Sequence, residues 1–117
     1  MTHNQIIGRR GENAAAAYLQ EHGYEIVERN ARTPHGEIDL VARREDITYF
    51  VEVKTRTSRR LGLPEEAVTP KKRAAMFAAG RHYAALHEID YWQADVLAVE
   101  ELPGRQPAIE HFENVLA

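Results

Sequence analysis

Two acidic residues and a lysine lie on a predicted β-hairpin in the first half of the sequence. The hairpin consists of residues 36–44 and 47–54, joined by the polar pair Glu45-Asp46. Alternate residues of a strand share a face, so Glu52 and Lys54 lie on the same side. A symmetric pairing about the turn then places Asp39 opposite Glu52. It also places Glu37 opposite Lys54.

Carboxylates that face each other across two strands repel and destabilise the sheet unless something compensates them. A divalent cation between Asp39 and Glu52 would convert this repulsion into ligation, and carboxylate oxygens suit Mg²⁺ or Mn²⁺. Lys54 beside such an ion could orient an attacking water or offset charge on a phosphate. This set predicts metal-assisted phosphodiester hydrolysis. The alternative is a charged face that is simply solvated, with Glu37 paired to Lys54.

The opposite face of the hairpin is apolar and is the predicted core. Its members are Ile38, Leu40, Ala42, Ile47, Tyr49, Val51 and Val53. The face that carries the acids also includes Val41 and Phe50. His35, in the preceding turn, is a candidate for proton transfer, although a turn histidine is more often only solvated.

Positive charge is concentrated after the hairpin. Residues 54–73 contain seven bases and two acids, whereas residues 88–117 contain seven acids and one base. Lys71, Lys72 and Arg73 fall in the first turn of a predicted helix, where the helix dipole disfavours positive charge. A phosphate backbone would compensate them. The alternatives are neutralisation by Glu65 and Glu66, or a solvated arginine-rich loop.

The remaining elements are predicted from periodicity and capping residues. Helices are expected over residues 5–22 and 70–87, with Thr2 and Thr69 as N-caps. Strands are expected over 24–30, 91–99 and 108–115, and a loop over 55–68. The order helix, three strands, helix, two strands indicates an α/β fold with a mixed sheet flanked by helices.

Composition excludes several classes of protein. The chain of 117 residues has no cysteine and a net charge of −3, which excludes a thiolate zinc site and a uniformly basic coat protein. No apolar run is long enough for a membrane span, and the first residues lack a secretory pattern. We therefore expect a cytoplasmic protein with no membrane partner.

The hairpin sequences GEIDL (residues 36–40) and FVEVKTR (residues 50–56) resemble the signature of the PD-(D/E)xK, or restriction-endonuclease-like, superfamily. The whole chain resembles the YraN-like family of small bacterial proteins, which are related to archaeal Holliday junction resolvases. The segment Gly8-x-x-Gly11-Glu12, the pair Asn30-x-Arg32, and Lys72 with Tyr83 also match that family. The superfamily's proline before the first acid is replaced here by Glu37-Ile38.

The resemblance implies a single nuclease-like domain over residues 1–117, with a core of helix, three strands, helix and strand. It implies that Asp39 and Glu52 bind the metal, that Lys54 is the catalytic lysine and that Glu12 supports the site. Glu12 is otherwise an ordinary exposed helical glutamate. Arg56 matches the polar residue after the acid-x-lysine pair. The resemblance also allows a homodimer, because resolvase-like relatives act as dimers.

The leading hypothesis is a Mg²⁺-dependent endonuclease acting on DNA, and the resemblance points to branched or structured substrates. Five basic residues would position phosphates: Arg56, Arg59, Arg60, Lys71 and Lys72. Such contacts carry no sequence information. The second hypothesis is a catalytically inactive module of the same fold that binds nucleic acid or a protein. A third is a nucleotide- or metal-binding enzyme of another kind.

Overall fold

The computed structural model describes residues 1–57 and 68–117. Five strands form one sheet in the order β1-β2-β3-β4-β5, in which only β3 and β4 are parallel. The elements are α1 (His3–Glu21), β1 (Glu25–Thr33), β2 (Gly36–Arg44), β3 (Ile47–Arg56), α2 (Pro70–Leu86), β4 (Trp92–Glu100) and β5 (Ala108–Phe112). This order confirms the α/β class and the mixed sheet flanked by helices. Neither helix of the described segments combines the length and apolar character needed to cross a membrane.

Both helices begin where the capping residues predicted. The Thr2 side chain accepts a hydrogen bond from the backbone of Gln5, and the Gln5 side chain completes a capping box. Thr69 accepts from the backbone N–H of Lys72, with Pro70 in the first position of α2. Each threonine satisfies an N–H group that would otherwise lack a partner.

The predicted hairpin register is confirmed over its inner part. Pairs run from Arg44 with Ile47 to Leu40 with Val51, around the turn at Glu45 and Asp46. Beyond Leu40 the ladder with β3 is not continued.

One assignment to the core face was wrong. Ile38 packs in the cluster beneath α2, whereas its predicted neighbour Leu40 packs beneath α1. The alternation of faces is interrupted between these residues, at the place where β2 stops pairing with β3.

Each face of the sheet is covered by one helix. The cluster beneath α1 contains Leu19, Leu40, Tyr49, Val51 and Leu97, all of them buried. The cluster beneath α2 contains Val41, Phe50 and Tyr83. The strand face that carries the acids is therefore partly core, because its apolar positions lie beneath α2, whereas Glu52 lies beside the first turn of that helix and contacts Lys72.

Three predicted strand ends were wrong by two residues or more. β1 continues to Thr33, three residues past its predicted end, because its pairing with β2 extends to Thr33 with Gly36. β3 continues through Arg56, two residues into the predicted loop, because parallel pairing with β4 extends to Arg56 with Glu100. β5 ends at Phe112 instead of residue 115. Asn114 has a left-handed φ of 54°, and its N–H binds a buried side chain instead of a neighbouring strand.

We expect Gly80→Ala to destabilise the protein by about 1–2 kcal/mol. A Cβ at this buried position of α2 would lie 2.8 Å from a ring carbon of Trp92 and 2.9 Å from one of Phe50. Overpacking costs about 1–3 kcal/mol, which outweighs the gain of about 1 kcal/mol in helix propensity. Gly8→Ala is the matched control, because no atom lies within 4 Å of its added Cβ. Chemical denaturation should show a lower free energy of unfolding for Gly80→Ala and a higher one for Gly8→Ala. A higher value for both variants would contradict this packing.

Candidate active site

The predicted catalytic residues meet where β2 separates from β3. There the Oδ2 atom of Asp39 accepts a hydrogen bond of 2.8 Å from the backbone N–H of Val53. In the predicted register Val53 would face Ile38, so a carboxylate replaces part of the strand ladder. The side chain of Asp39 is thereby held against the residue between Glu52 and Lys54.

Glu52 carries the charge contacts of the site. Its Oε1 atom lies 3.6 Å from the Nζ of Lys54 and 2.7 Å from the Nζ of Lys72. The Glu52 side chain is only 12% exposed, whereas each lysine is about one-third exposed. Lys54 from β3 and Lys72 from α2 thus contact the same largely buried carboxylate.

Burial and neighbouring acids perturb Asp39. Desolvation is the main cause, followed by repulsion from Glu52, and together they raise the pKa of Asp39 from 3.8 to about 7. The hydrogen bond from Val53 opposes this shift. Glu12 adds to the repulsion, while Lys72 reduces it. Glu52 is therefore near enough to oppose the ionisation of Asp39.

Glu12 on α1 and Glu37 on β2 accept hydrogen bonds from the same residue, Asn30. The Asn30 Nδ2 atom donates to Glu12 at 3.1 Å and to Glu37 at 3.0 Å. Asn30 has a left-handed φ of 52° within β1, a conformation that asparagine tolerates better than most residues. From the sequence, Asn30 was noted only as part of the family resemblance, and its contact with two acids was not predicted. The one sequence feature that indicated an unusual role was an asparagine inside a predicted strand.

A small hollow adjoins Glu52 beneath the first turns of α2. Its volume is about 90 Å³, and apolar side chains form much of its wall, among them Ile38, Phe50 and Met76. The polar side chains in its wall are those of His35, Glu37, Glu52 and Lys72. The site therefore combines charged groups with an apolar recess.

The structure places three of the five predicted phosphate-binding residues. Lys72 lies at the acid cluster and Lys71 is exposed on the same helical turn. Arg56 is half-buried at the end of β3, in register with Glu100. Arg59 and Arg60 lie outside the described residues, as do Glu65 and Glu66.

A second group of possible metal ligands lies elsewhere. Among residues 1–57 and 68–117, Asp95, His111 and Glu113 form the one group of three or more whose ligand atoms all lie within 4.8 Å. Both Asp95 oxygens are already occupied by hydrogen-bond partners on Gln93, His111 and Asn114. These contacts fasten β5 and the chain after it to β4. Sequence reasoning missed this buried acid.

The donor chemistry at Asp39 and Glu52 fits a hard divalent cation. Both residues offer carboxylate oxygens, and repulsion from Glu52 adds to the burial that raises the pKa of Asp39. The ligand atoms of Glu12, Asp39 and Glu52 do not all lie within 4.8 Å of one another. The fit thus rests on the pair Asp39 and Glu52.

The raised pKa of Asp39 predicts a pH-dependent stability without metal. Between pH 3.8 and about 7 the folded protein binds more protons at Asp39 than the unfolded chain, so its stability falls as pH rises. We expect Asp39→Asn, which stays neutral, to melt at about the wild-type temperature near the acid end of this range. Near pH 8 its melting temperature should be about 4–8 °C above that of the wild type. This rise corresponds to a free energy of unfolding that is about 1–2 kcal/mol larger. Melting curves in chelator test this, and a difference independent of pH would contradict it.

The fold and this arrangement define an α/β protein with a mixed five-stranded sheet whose central hairpin carries an acid followed by acid-x-lysine. The model of the uncharacterised protein family UPF0102 matches residues 11–99. The chain belongs to this family, which confirms the resemblance to the YraN-like proteins.

Two relatives align with this chain along nearly their whole length. A UPF0102 protein of Syntrophotalea carbinolica is 43% identical, with 96% of this chain and 93% of the relative covered. One from Rhodococcus jostii is also 43% identical, with 97% and 98% covered. Among solved structures, the Holliday junction resolvase Hjc of Archaeoglobus fulgidus superposes with a TM-score of 0.49 at 17% identity. That superposition covers 90% of this chain and 85% of the resolvase.

Proposed function

We propose that this protein is a metal-dependent endonuclease that hydrolyses phosphodiester bonds in DNA, with branched or otherwise structured DNA as the expected substrate. The observation that carries the proposal is the meeting of Asp39, Glu52 and Lys54 at one end of the β2–β3 hairpin. Burial and repulsion from Glu52 raise the pKa of Asp39, and Glu52 lies 3.6 Å from the Nζ of Lys54. The substrate class rests on the resemblance of the hairpin motif.

Asp39 and Glu52 would hold Mg²⁺ or Mn²⁺, which supplies charge stabilisation to the phosphoryl group when bound. In the reaction, a water oxygen bonds to phosphorus while one bridging oxygen leaves. The Lys54 ammonium can orient the water and stabilise the charge that develops on the phosphate. Glu12 would support the metal ligands from α1, with Asn30 as its positioning residue.

The basic residues would bind the DNA backbone. Lys71 projects from the exposed side of the first turn of α2, and Arg56 ends the strand that carries Glu52 and Lys54. Contacts of this kind position DNA without reading its bases, so affinity should fall steeply with salt. A homodimer remains a prediction of the resemblance.

Purified protein should cleave at least one of four substrates in Mg²⁺ or Mn²⁺: a four-way junction, a flap, duplex DNA or single-stranded DNA. Chelator should stop cleavage, and renewed metal should restore it. An RNA of the same sequence distinguishes a deoxyribonuclease from a ribonuclease. If all substrates stay intact while DNA binding is retained, the inactive binding module is the correct alternative.

A further inference from the structure

Two lysines from different elements contact the same oxygen of Glu52. Lys54 comes from β3 and lies 3.6 Å away, whereas Lys72 comes from α2 and lies 2.7 Å away. The shorter distance is that of a direct charge-assisted hydrogen bond. Since Glu52 is 12% exposed, water provides little of its compensation. Among the residues that the structure describes, Lys72 is therefore the principal counter-ion of this carboxylate.

Lys72 lies at the N-terminus of α2, where the helix dipole disfavours a positive side chain. Its own backbone N–H donates to Thr69, which places it in the first turn of this helix. The ion pair with Glu52 offsets that cost. Lys71, on the same turn, has no ion pair among the described residues and is exposed.

We propose that Lys72 is an internal counter-ion that competes with the divalent metal for Glu52 and, once displaced, becomes a phosphate-binding group. The inference rests on the proposed function, because it assumes that Glu52 is a metal ligand. A cation that approaches Glu52 meets the Lys72 ammonium in direct contact with one carboxylate oxygen, and like charges at that range repel strongly. Metal binding therefore has to move Lys72 away.

The displaced ammonium needs a new acceptor beside the metal. A phosphate oxygen of the substrate is the acceptor that the proposed reaction brings to this position. Metal and DNA should consequently bind with positive coupling, because each stabilises the arrangement in which Lys72 has left Glu52. A lysine that only oriented Glu52 would produce no such coupling.

The test compares Lys72→Met with the matched control Lys71→Met, which removes the same charge from the same helical turn. Mn²⁺ affinity is measured by calorimetry at about pH 8.5, above the pKa of Asp39, so that the carboxylates are ionised. We expect Lys72→Met to bind Mn²⁺ about tenfold more tightly than the wild type, and Lys71→Met to bind it equally. Asp39→Asn should bind it far more weakly.

A second measurement follows DNA affinity with and without Ca²⁺, used as a non-cleaving cation. Ca²⁺ should strengthen DNA binding by the wild type and by Lys71→Met, and strengthen it much less in Lys72→Met. Unchanged or weaker Mn²⁺ binding by Lys72→Met, with Asp39→Asn impaired, would overturn the inference and leave the proposed function standing. Equal Mn²⁺ binding by the wild type and Asp39→Asn would overturn both.

Discussion

Asp39→Asn should abolish metal-dependent cleavage while making the metal-free protein more stable at neutral pH. The amide keeps an oxygen that can accept the hydrogen bond from Val53, so the backbone arrangement is retained. It removes the charge that a cation requires. Since metal ligation supplies several kcal/mol to such reactions, we expect a loss of about a thousandfold or more in rate.

The matched control for this variant is Asp46→Asn. Asp46 lies in the turn of the same hairpin, and its side chain is 97% exposed. It should cleave DNA at the wild-type rate and melt at the wild-type temperature. Single-turnover cleavage assays measure the first effect, and thermal unfolding in chelator measures the second. Full activity in Asp39→Asn would refute the assignment of Asp39, whatever its stability.

The largest expected loss of stability is that of Asp95→Ala. Asp95 is completely buried, and it accepts hydrogen bonds of 2.9 Å from the Gln93 side chain and from the N–H of Asn114. Its other oxygen lies 2.7 Å from the Nε2 atom of His111. Alanine would leave these partners without an acceptor. Breaking a buried pair of this kind costs about 3–5 kcal/mol.

Asp95→Ala should therefore lower the melting temperature by about 10–20 °C. Asp90→Ala, at an exposed position just before β4, should change it little. Chemical denaturation in chelator separates hydrogen bonding from any ion bound at Asp95, His111 and Glu113. A loss below about 1 kcal/mol would show that the three donors find other partners.

Local features were predictable because their causes are local in the chain. Thr2 and Thr69 cap the N-termini of their helices through hydrogen bonds to residues three positions away. Alternation and a two-residue turn set the hairpin register from Leu40 to Arg44. The same pattern brought Asp39 and Glu52 to one end of adjacent strands, so the centre of the candidate site followed from spacing.

The predicted face of β2 was wrong at Ile38, where a side-chain hydrogen bond replaces backbone pairing with β3. Ile38 packs beneath α2 because the ladder stops before it and the Asp39 side chain bonds the β3 backbone instead. Periodicity assumes a continuous ladder and cannot show where one ends. The same limit applies at Asn30, whose left-handed backbone directs its amide to two acids.

The sequence by itself thus determined the element order, the helix starts and the acids on the central hairpin. Only the tertiary structure decided that Lys72 compensates Glu52, that Asn30 connects Glu12 with Glu37 and that Asp95 is buried. Most of these contacts join residues 16 to 20 positions apart along the chain. No local pattern records such distances, because each contact depends on how a helix or strand docks on the sheet.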